Sequence, residues 1–221
     1  METKTEADFA GRSAWAAGAL IAALTLCAML LGSASCSAVP PRSETAVRIE
    51  VPMVRQDARY ECGLASISAL CQYWRVEIPD EERAVLARVA AESRGLSGNE
   101  LRDVLQRLGF EVYVFEGTLD RASTGVYGHV DAGRPPLVML GAPGAEPHYE
   151  LVLGYDEPLG LLILLDPVEG EVLVPRAGFE QSWEQCRRFT LLASTSSDTQ
   201  ANRRPPAADT TSSSATTTAK K

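Results

Sequence analysis

Lysine is almost missing from this sequence. Among 221 residues only Lys4, Lys220 and Lys221 are lysine. Between residues 44 and 193, 14 arginines face 24 acidic residues. So acidic a stretch has no electrostatic footprint for a polyanion, which excludes nucleic acid as a partner. Histidine is scarce as well. His129 and His148 stand alone beside five cysteines, which argues against a histidine-rich metal cluster. Aromatics make up only 6%, and no internal repeat is visible. Composition is otherwise ordinary, at 45% hydrophobic and 23% charged. That excludes a wholly disordered chain, a collagen-like chain and a polytopic membrane protein.

One long uncharged run is present, from Ser13 to Leu31. Lys4 and Arg12 precede it, among Glu2, Glu6 and Asp8, and the small-residue exit GSASCSAVPP follows it. A charged lead, an apolar run and a small-residue exit describe an export signal. The run is also long enough to span a bilayer if uncleaved. Cys36 follows Ser33-Ala34-Ser35 and resembles the cysteine of a bacterial lipobox, although Ser33 replaces the usual large aliphatic residue. Lipidation at Cys36, plain cleavage and an uncleaved anchor stay open, with lipidation favoured. Each would place the remainder outside the cytoplasm of a bacterium, held at the membrane or released.

The opposite end, from Ser194 to Lys221, has no large apolar residue and is rich in Ser and Thr. It cannot bury enough surface to offset the entropy of ordering, so it reads as a disordered tail. The expected organisation is a signal or anchor over 1–36, a linker over 37–46, a globular domain over 47–193 and a tail over 194–221.

Within the domain the hydrophobic period changes once. Val47 to Val54 alternates like a short edge strand ending near Pro52. CGLASISALCQYW has helical spacing, opening at about Cys62 and ending before Val76. Pro79-Asp80-Glu81-Glu82 opens a second helix that runs to about Ser93. Ser97-Gly98-Asn99-Glu100 is a capping box for a third, stopped by Gly109. After Gly109 the period becomes two. Strands are expected at 110–116, 136–141, 149–156, 161–166, 171–175 and 187–193, with a short helical turn over 178–186. Helices first and strands second predict an α+β fold with a mainly antiparallel sheet.

Four residues could carry chemistry. Cys62 sits in a helix first turn, where unpaired N–H groups and the dipole stabilise a thiolate. Gly63 beside it permits close approach of a backbone or a substrate. His148 enters a strand after the loop GAPGAEP, a suitable place for a base at the mouth of a cleft. Asp166 closes LLILLD, and an acid there needs a partner such as an imidazole. A hairpin over 149–166 sets Asp166 opposite His148, whereas Asp156 lies at the turn and caps it. Gln56, six residues before Cys62, could supply an oxyanion-hole amide with the Cys62 N–H. His129, in VYGHVDAG, reads as part of a polar loop and is the weaker candidate base. Cys71 falls about half a turn off the Cys62 face and reads as core, while a Cys71–Cys186 disulfide is permitted by export.

Nucleophile, base, orienter and oxyanion donor form an acyl-transfer set. QDARYECGLASISAL, HYELVLGYD and the closing Asp-Pro resemble the papain-like cysteine peptidases that process double-glycine leader peptides of bacteriocins. GRPPLVML and FEQSW fit the same pattern, and the likeness covers about residues 50–193. It implies a papain-like fold and a cysteine peptidase acting on a peptide or protein substrate. Cys62 would be nucleophile, His148 general base, Asp166 orienter and Gln56 oxyanion donor, with no metal or organic cofactor. The best-known members are fused to an ABC exporter, whereas this chain resembles stand-alone exported members. Two other readings remain. A cell-wall amidase or transpeptidase would keep the triad, although Cys62-Gly63-Leu64 replaces the usual Cys-Ser-Gly of such enzymes. A peptide-binding module would keep the fold without turnover.

Overall fold

The computed structural model describes residues 42–195. The expected signal or anchor, Cys36 and all but the first two residues of the expected tail lie outside the described residues. Along the chain run β1 (Val47–Arg48), α1 (Cys62–Tyr73), α2 (Asp80–Ser93), α3 (Gly98–Arg107), β2 (Glu111–Glu116), α4 (Val126–Asp131), β3 (Leu137–Leu140), β4 (His148–Asp156), β5 (Leu161–Asp166), β6 (Gly170–Pro175), α5 (Arg176–Gln185) and β7 (Phe189–Ser194). Among the described residues no helix is long and apolar enough to cross a membrane.

The strands form one sheet in the order β2-β7-β3-β4-β5-β6, with β1 pairing β4. Every strand pairing is antiparallel. The fold is therefore the expected α+β arrangement, with both sheet faces covered. Against one face pack α1 and α3, through Leu64, Ile67, Leu101 and Leu105 onto Leu137, Leu151 and Ile163, and α2 packs outside them on α1. Against the other pack Val126 and Val130 of α4 and Phe179 and Trp183 of α5. This two-sided cover explains why β4 and β5 read as apolar runs rather than as alternating strands.

α1 is buried from Cys62 through Cys71, so it is the central helix rather than an amphipathic one. α3 begins with the expected capping box: Glu100 N–H donates to Ser97 Oγ, and Ser97 N–H donates to Glu100 Oε2 at 2.6 Å. Gly154 marks a bulge in β4. A side chain there would meet the Val47 carbonyl oxygen at 2.1 Å, so glycine lets β1 close on the strand.

Three expectations need correction. The strand expected over Val47–Val54 is only Val47–Arg48: Ile49 N–H still bonds the Leu153 carbonyl, and Pro52 beyond it has no N–H to offer. The expected loop around His129 is the helix α4, whose apolar Val126, Tyr127 and Val130 bury on the sheet. The expected short helical turn over 178–186 is a ten-residue helix, α5, anchored by fully buried Phe179 and Trp183. The Cys71–Cys186 pairing, which the sequence left open, is not made: both are free buried thiols. Asp156 does cap its turn, accepting from Leu159 N–H, and also accepts from the backbone and hydroxyl of Ser43.

Leu101 is fully buried between α1 and the sheet. Leu101→Ala should lower the unfolding free energy by about 2–5 kcal/mol, read from urea denaturation.

Candidate active site

Cys62 is the first residue of α1, and Glu61 before it supplies no side-chain cap. The first-turn N–H groups are therefore left for other acceptors. The helix is held to the start of β4 by Ser66 Oγ, which donates to the Tyr149 carbonyl at 3.1 Å. Gly63 fits the same contact: a side chain there would lie 3.3 Å from both Leu101 and Tyr149. Its smallness serves packing between helix and strand rather than approach of a substrate. The result sets Cys62 beside His148, the first residue of β4.

His148 Nε2 lies 3.4 Å from Asp166 Oδ1, at the end of β5. The β4–β5 register sets Asp166 opposite Glu150, and His148, two residues along β4 on the same face, reaches it diagonally. Asp166 Oδ1 also accepts the N–H groups of Val168 at 2.6 Å and Glu169 at 3.1 Å, which fixes the carboxylate. With Nε2 turned to the acid, the other ring nitrogen is left for Cys62.

The electrostatics follow from these contacts. Burial raises the Cys62 thiol, but hydrogen bonds from His148 and from the backbone N–H groups of Tyr149 and Gly63, with the imidazole charge, outweigh it and lower the pKa overall. His148 moves the other way, to about 9: the Cys62 hydrogen bond raises it, burial opposes, and the charges of Cys62, Asp166 and Glu150 add to the rise. The two shifts together describe a thiolate–imidazolium pair.

Gln56 lines the same cleft as Cys62 and His148. Its backbone N–H bonds the Pro167 carbonyl at 3.1 Å, tying it to the turn that follows Asp166. Its side-chain amide donates to the carbonyls of Ala58 at 3.0 Å and Arg59 at 3.4 Å, and its Oε1 is buried without a partner. Gln56 thus reaches the cleft with its donors engaged by the loop. The cleft has a volume of about 610 Å³ and is bounded by the 93–98 segment, Met139 and the 146–149 segment. On its rim Arg94 pairs with Glu146, and both Arg59 and Arg94 sit over the Tyr60 ring. Nothing in the sequence pattern singled out this rim.

His129 is not part of the site. It is buried beside Phe115, its Nε2 meets the Ser123 carbonyl at 3.1 Å, and burial lowers its pKa. Glu150, two residues along β4 from His148, was passed over in the sequence. Its signal was a charge inside the apolar run HYELVLGYD. His148, Glu150 and Asp166 bring one donor atom each within 4.8 Å of one another. Asp166 Oδ1 is already committed to two backbone N–H groups and to the imidazole, so we assign no metal ion to this set.

A model described as the Peptidase C39 family matches residues 50–197. Three solved structures resemble the chain. A double glycine motif protease from an AMS/PCAT transporter, in complex with its leader peptide, is 19% identical with a TM-score of 0.52, over 67% of this chain and 96% of that one. The peptidase domain of Streptococcus ComA, a bifunctional ABC transporter of a quorum-sensing pathway, is 17% identical with a TM-score of 0.54, over 66% and 99%. A C39-like peptidase from Bacillus anthracis is 18% identical with a TM-score of 0.52, over 69% and 98%. No curated protein sequence matches.

Alkylation by iodoacetamide measures the thiolate directly. Cys62 should react well below the ordinary thiol range near about pH 8.5. His148→Ala removes the main lowering influence and leaves burial opposed only by the Tyr149 and Gly63 N–H groups, so the alkylation midpoint should move up.

Proposed function

The chain belongs to the peptidase C39 family and is a cysteine peptidase, and from that premise we propose that it is an exported enzyme cutting peptide bonds at Gly-Gly-type sites with Cys62, His148, Asp166 and Gln56. The observation that carries the assignment of residues is the line from Cys62 through His148 to Asp166, with thiol and imidazole shifted in opposite directions.

The reaction begins from the ion pair. The Cys62 thiolate attacks the scissile carbonyl carbon. Negative charge on the carbonyl oxygen is met by the Cys62 backbone N–H, which has no acceptor within the helix, and by the Gln56 amide. For this the amide exchanges its loop carbonyls for the oxyanion, one acceptor for another. His148 gives its proton to the departing amine nitrogen, and the C–N bond breaks to leave a thioester. Neutral His148 then takes a proton from water as the hydroxyl adds to the thioester carbonyl. Collapse expels the Cys62 thiolate and restores the ion pair. Asp166 remains ionised throughout and holds the imidazole by its Nε2.

The comparisons support a substrate of small residues. The family match and the neighbour that binds a leader peptide both point to double-glycine substrates. One wall of the cleft is chain between Gly95 and Gly98, where the missing side chains let an extended substrate backbone lie close. Export is proposed from the sequence alone: the uncharged run Ser13–Leu31 and Cys36 would hold the catalytic domain at an outer membrane face. A wall-peptide amidase would keep the same triad on a different acyl donor.

Full-length protein should cleave a leader-type peptide after Gly-Gly and leave the same peptide intact when both glycines are leucine. Cys62→Ala should abolish turnover while the fold persists by circular dichroism. Gln56→Ala should lower kcat by about 10²- to 10³-fold, the usual loss for an oxyanion donor. Full turnover by the Cys62→Ala variant would overturn the assignment.

A further inference from the structure

Glu150 is a carboxyl where the fold gives no reason for one. It lies in the middle of the sheet, is 8% exposed, and its Oε2 has no hydrogen-bond partner. The register that pairs Leu151 with Leu165 sets Glu150 directly beside Asp166 on the next strand. Residues opposed in this way share a face, and two ionised carboxylates there repel. On its other side Glu150 faces Val138 of β3, which offers no polar atom in its side chain. The charged groups acting on it are Asp166 from β5 and His148 from its own strand. An arrangement of two opposed carboxyls, one of them buried and lacking a donor, is relieved when one proton lies between them.

We propose that Glu150 is a positioning residue that shares one proton with Asp166, its protonated carboxyl donating to the Asp166 carboxylate behind His148. Asp166 can accept such a bond. Its Oδ1 is taken by the Val168 and Glu169 N–H groups and by the imidazole, while Glu150 can meet the free Oδ2. The bridge holds the acid in the plane that the imidazole requires, without adding a second negative charge. Burial, and then the charge of Asp166, push Glu150 up to about 7, against the opposing pull of His148. The bridge is therefore intact in mildly acidic conditions. Above neutrality Glu150 loses its proton, and the added negative charge holds the proton of His148 more tightly. Glu150 thus acts through Asp166 and His148 and touches neither substrate nor the reacting atoms. This inference rests on the roles proposed for His148 and Asp166.

Two measurements on the full chain test it separately from the peptidase reading. The first uses protein labelled with ¹³C at glutamate carboxyls and involves no substrate. One glutamate should titrate near neutrality in wild type and be missing in Glu150→Gln. If every glutamate titrates below about pH 5, the ordinary carboxyl range, the proposal is overturned whatever the enzyme cleaves. The second is the pH dependence of kcat/KM. Glu150→Gln cannot ionise, so the alkaline limb should move down by about one pH unit, a tenfold change in proton affinity. Below neutrality, where the bridge is intact, Glu150→Leu should lose about tenfold, and Glu150→Gln should recover most of that loss, because its amide can donate to Asp166. An unmoved alkaline limb in Glu150→Gln, or full activity in Glu150→Leu, contradicts the role. A wild-type limb that shifts when divalent cations are stripped by EDTA means that a cation, not a proton, joins the two carboxyls, and also overturns it. Loss of the proposed cleavage with the neutral titration retained places the failure in the peptidase reading alone.

Discussion

The hydrogen bond from Ser66 Oγ to the Tyr149 carbonyl ties the N-terminal half of α1 to the first residues of β4. Cys62 is on one side of that tie and His148 on the other. Neither element could present its side chain usefully alone. A helix start lowers a thiol only if its amides stay uncapped, and a strand start places an imidazole only if a neighbouring strand supplies an acid. The tie is backed by the small size of Gly63, where a side chain would crowd Tyr149 and Leu101, so the spacing of Cys62 and His148 is set by core packing rather than by the loops around it.

Depth and polarity are balanced around this pair. The thiol is largely buried, which by itself disfavours a thiolate. Its pKa is nevertheless lowered, because a hydrogen-bond donor, a nearby positive charge and two backbone amides converge on the sulfur. Cys71, nine residues along the same helix, shows the contrast. Without such partners burial pushes it up to about 12, and the nearby Arg83 only moderates the rise. Two cysteines on one helix therefore differ in chemistry through their neighbours, not through their exposure.

Much of this was legible in the sequence because the relevant signals are local. A cysteine at a helix start, a histidine at a strand start and an acid closing the next strand each sit at an element boundary. The boundaries of α2, α3 and β5 followed from Pro79, the Ser97 box and the turn at EPLG. What escaped was non-local. α4 is too short to show a helical period, and its identity depends on burial against β4. The reach of α5 depends on Phe179 and Trp183 finding a sheet face that the sequence does not display. Gln56 was placed at the cleft by spacing, yet the direction of its amide is decided by the carbonyls of Ala58 and Arg59. Glu150 was visible as a charge in an apolar strand, but its meaning required the register with β5.

The backbone bond between Gln56 and Pro167, reinforced by Arg55 on the Val168 carbonyl, joins two loops that come from distant parts of the chain. One loop carries the amide that would face the oxyanion, and the other follows the acid that orients the imidazole. Latched together, they behave as one mechanical part. Opening the latch would disorganise both ends of the catalytic line in a single event, so the site has fewer half-assembled states than its number of residues suggests. A peptidase sharing its surroundings with many other polypeptides gains from that coupling, because partly assembled sites that cleave slowly and indiscriminately become rare.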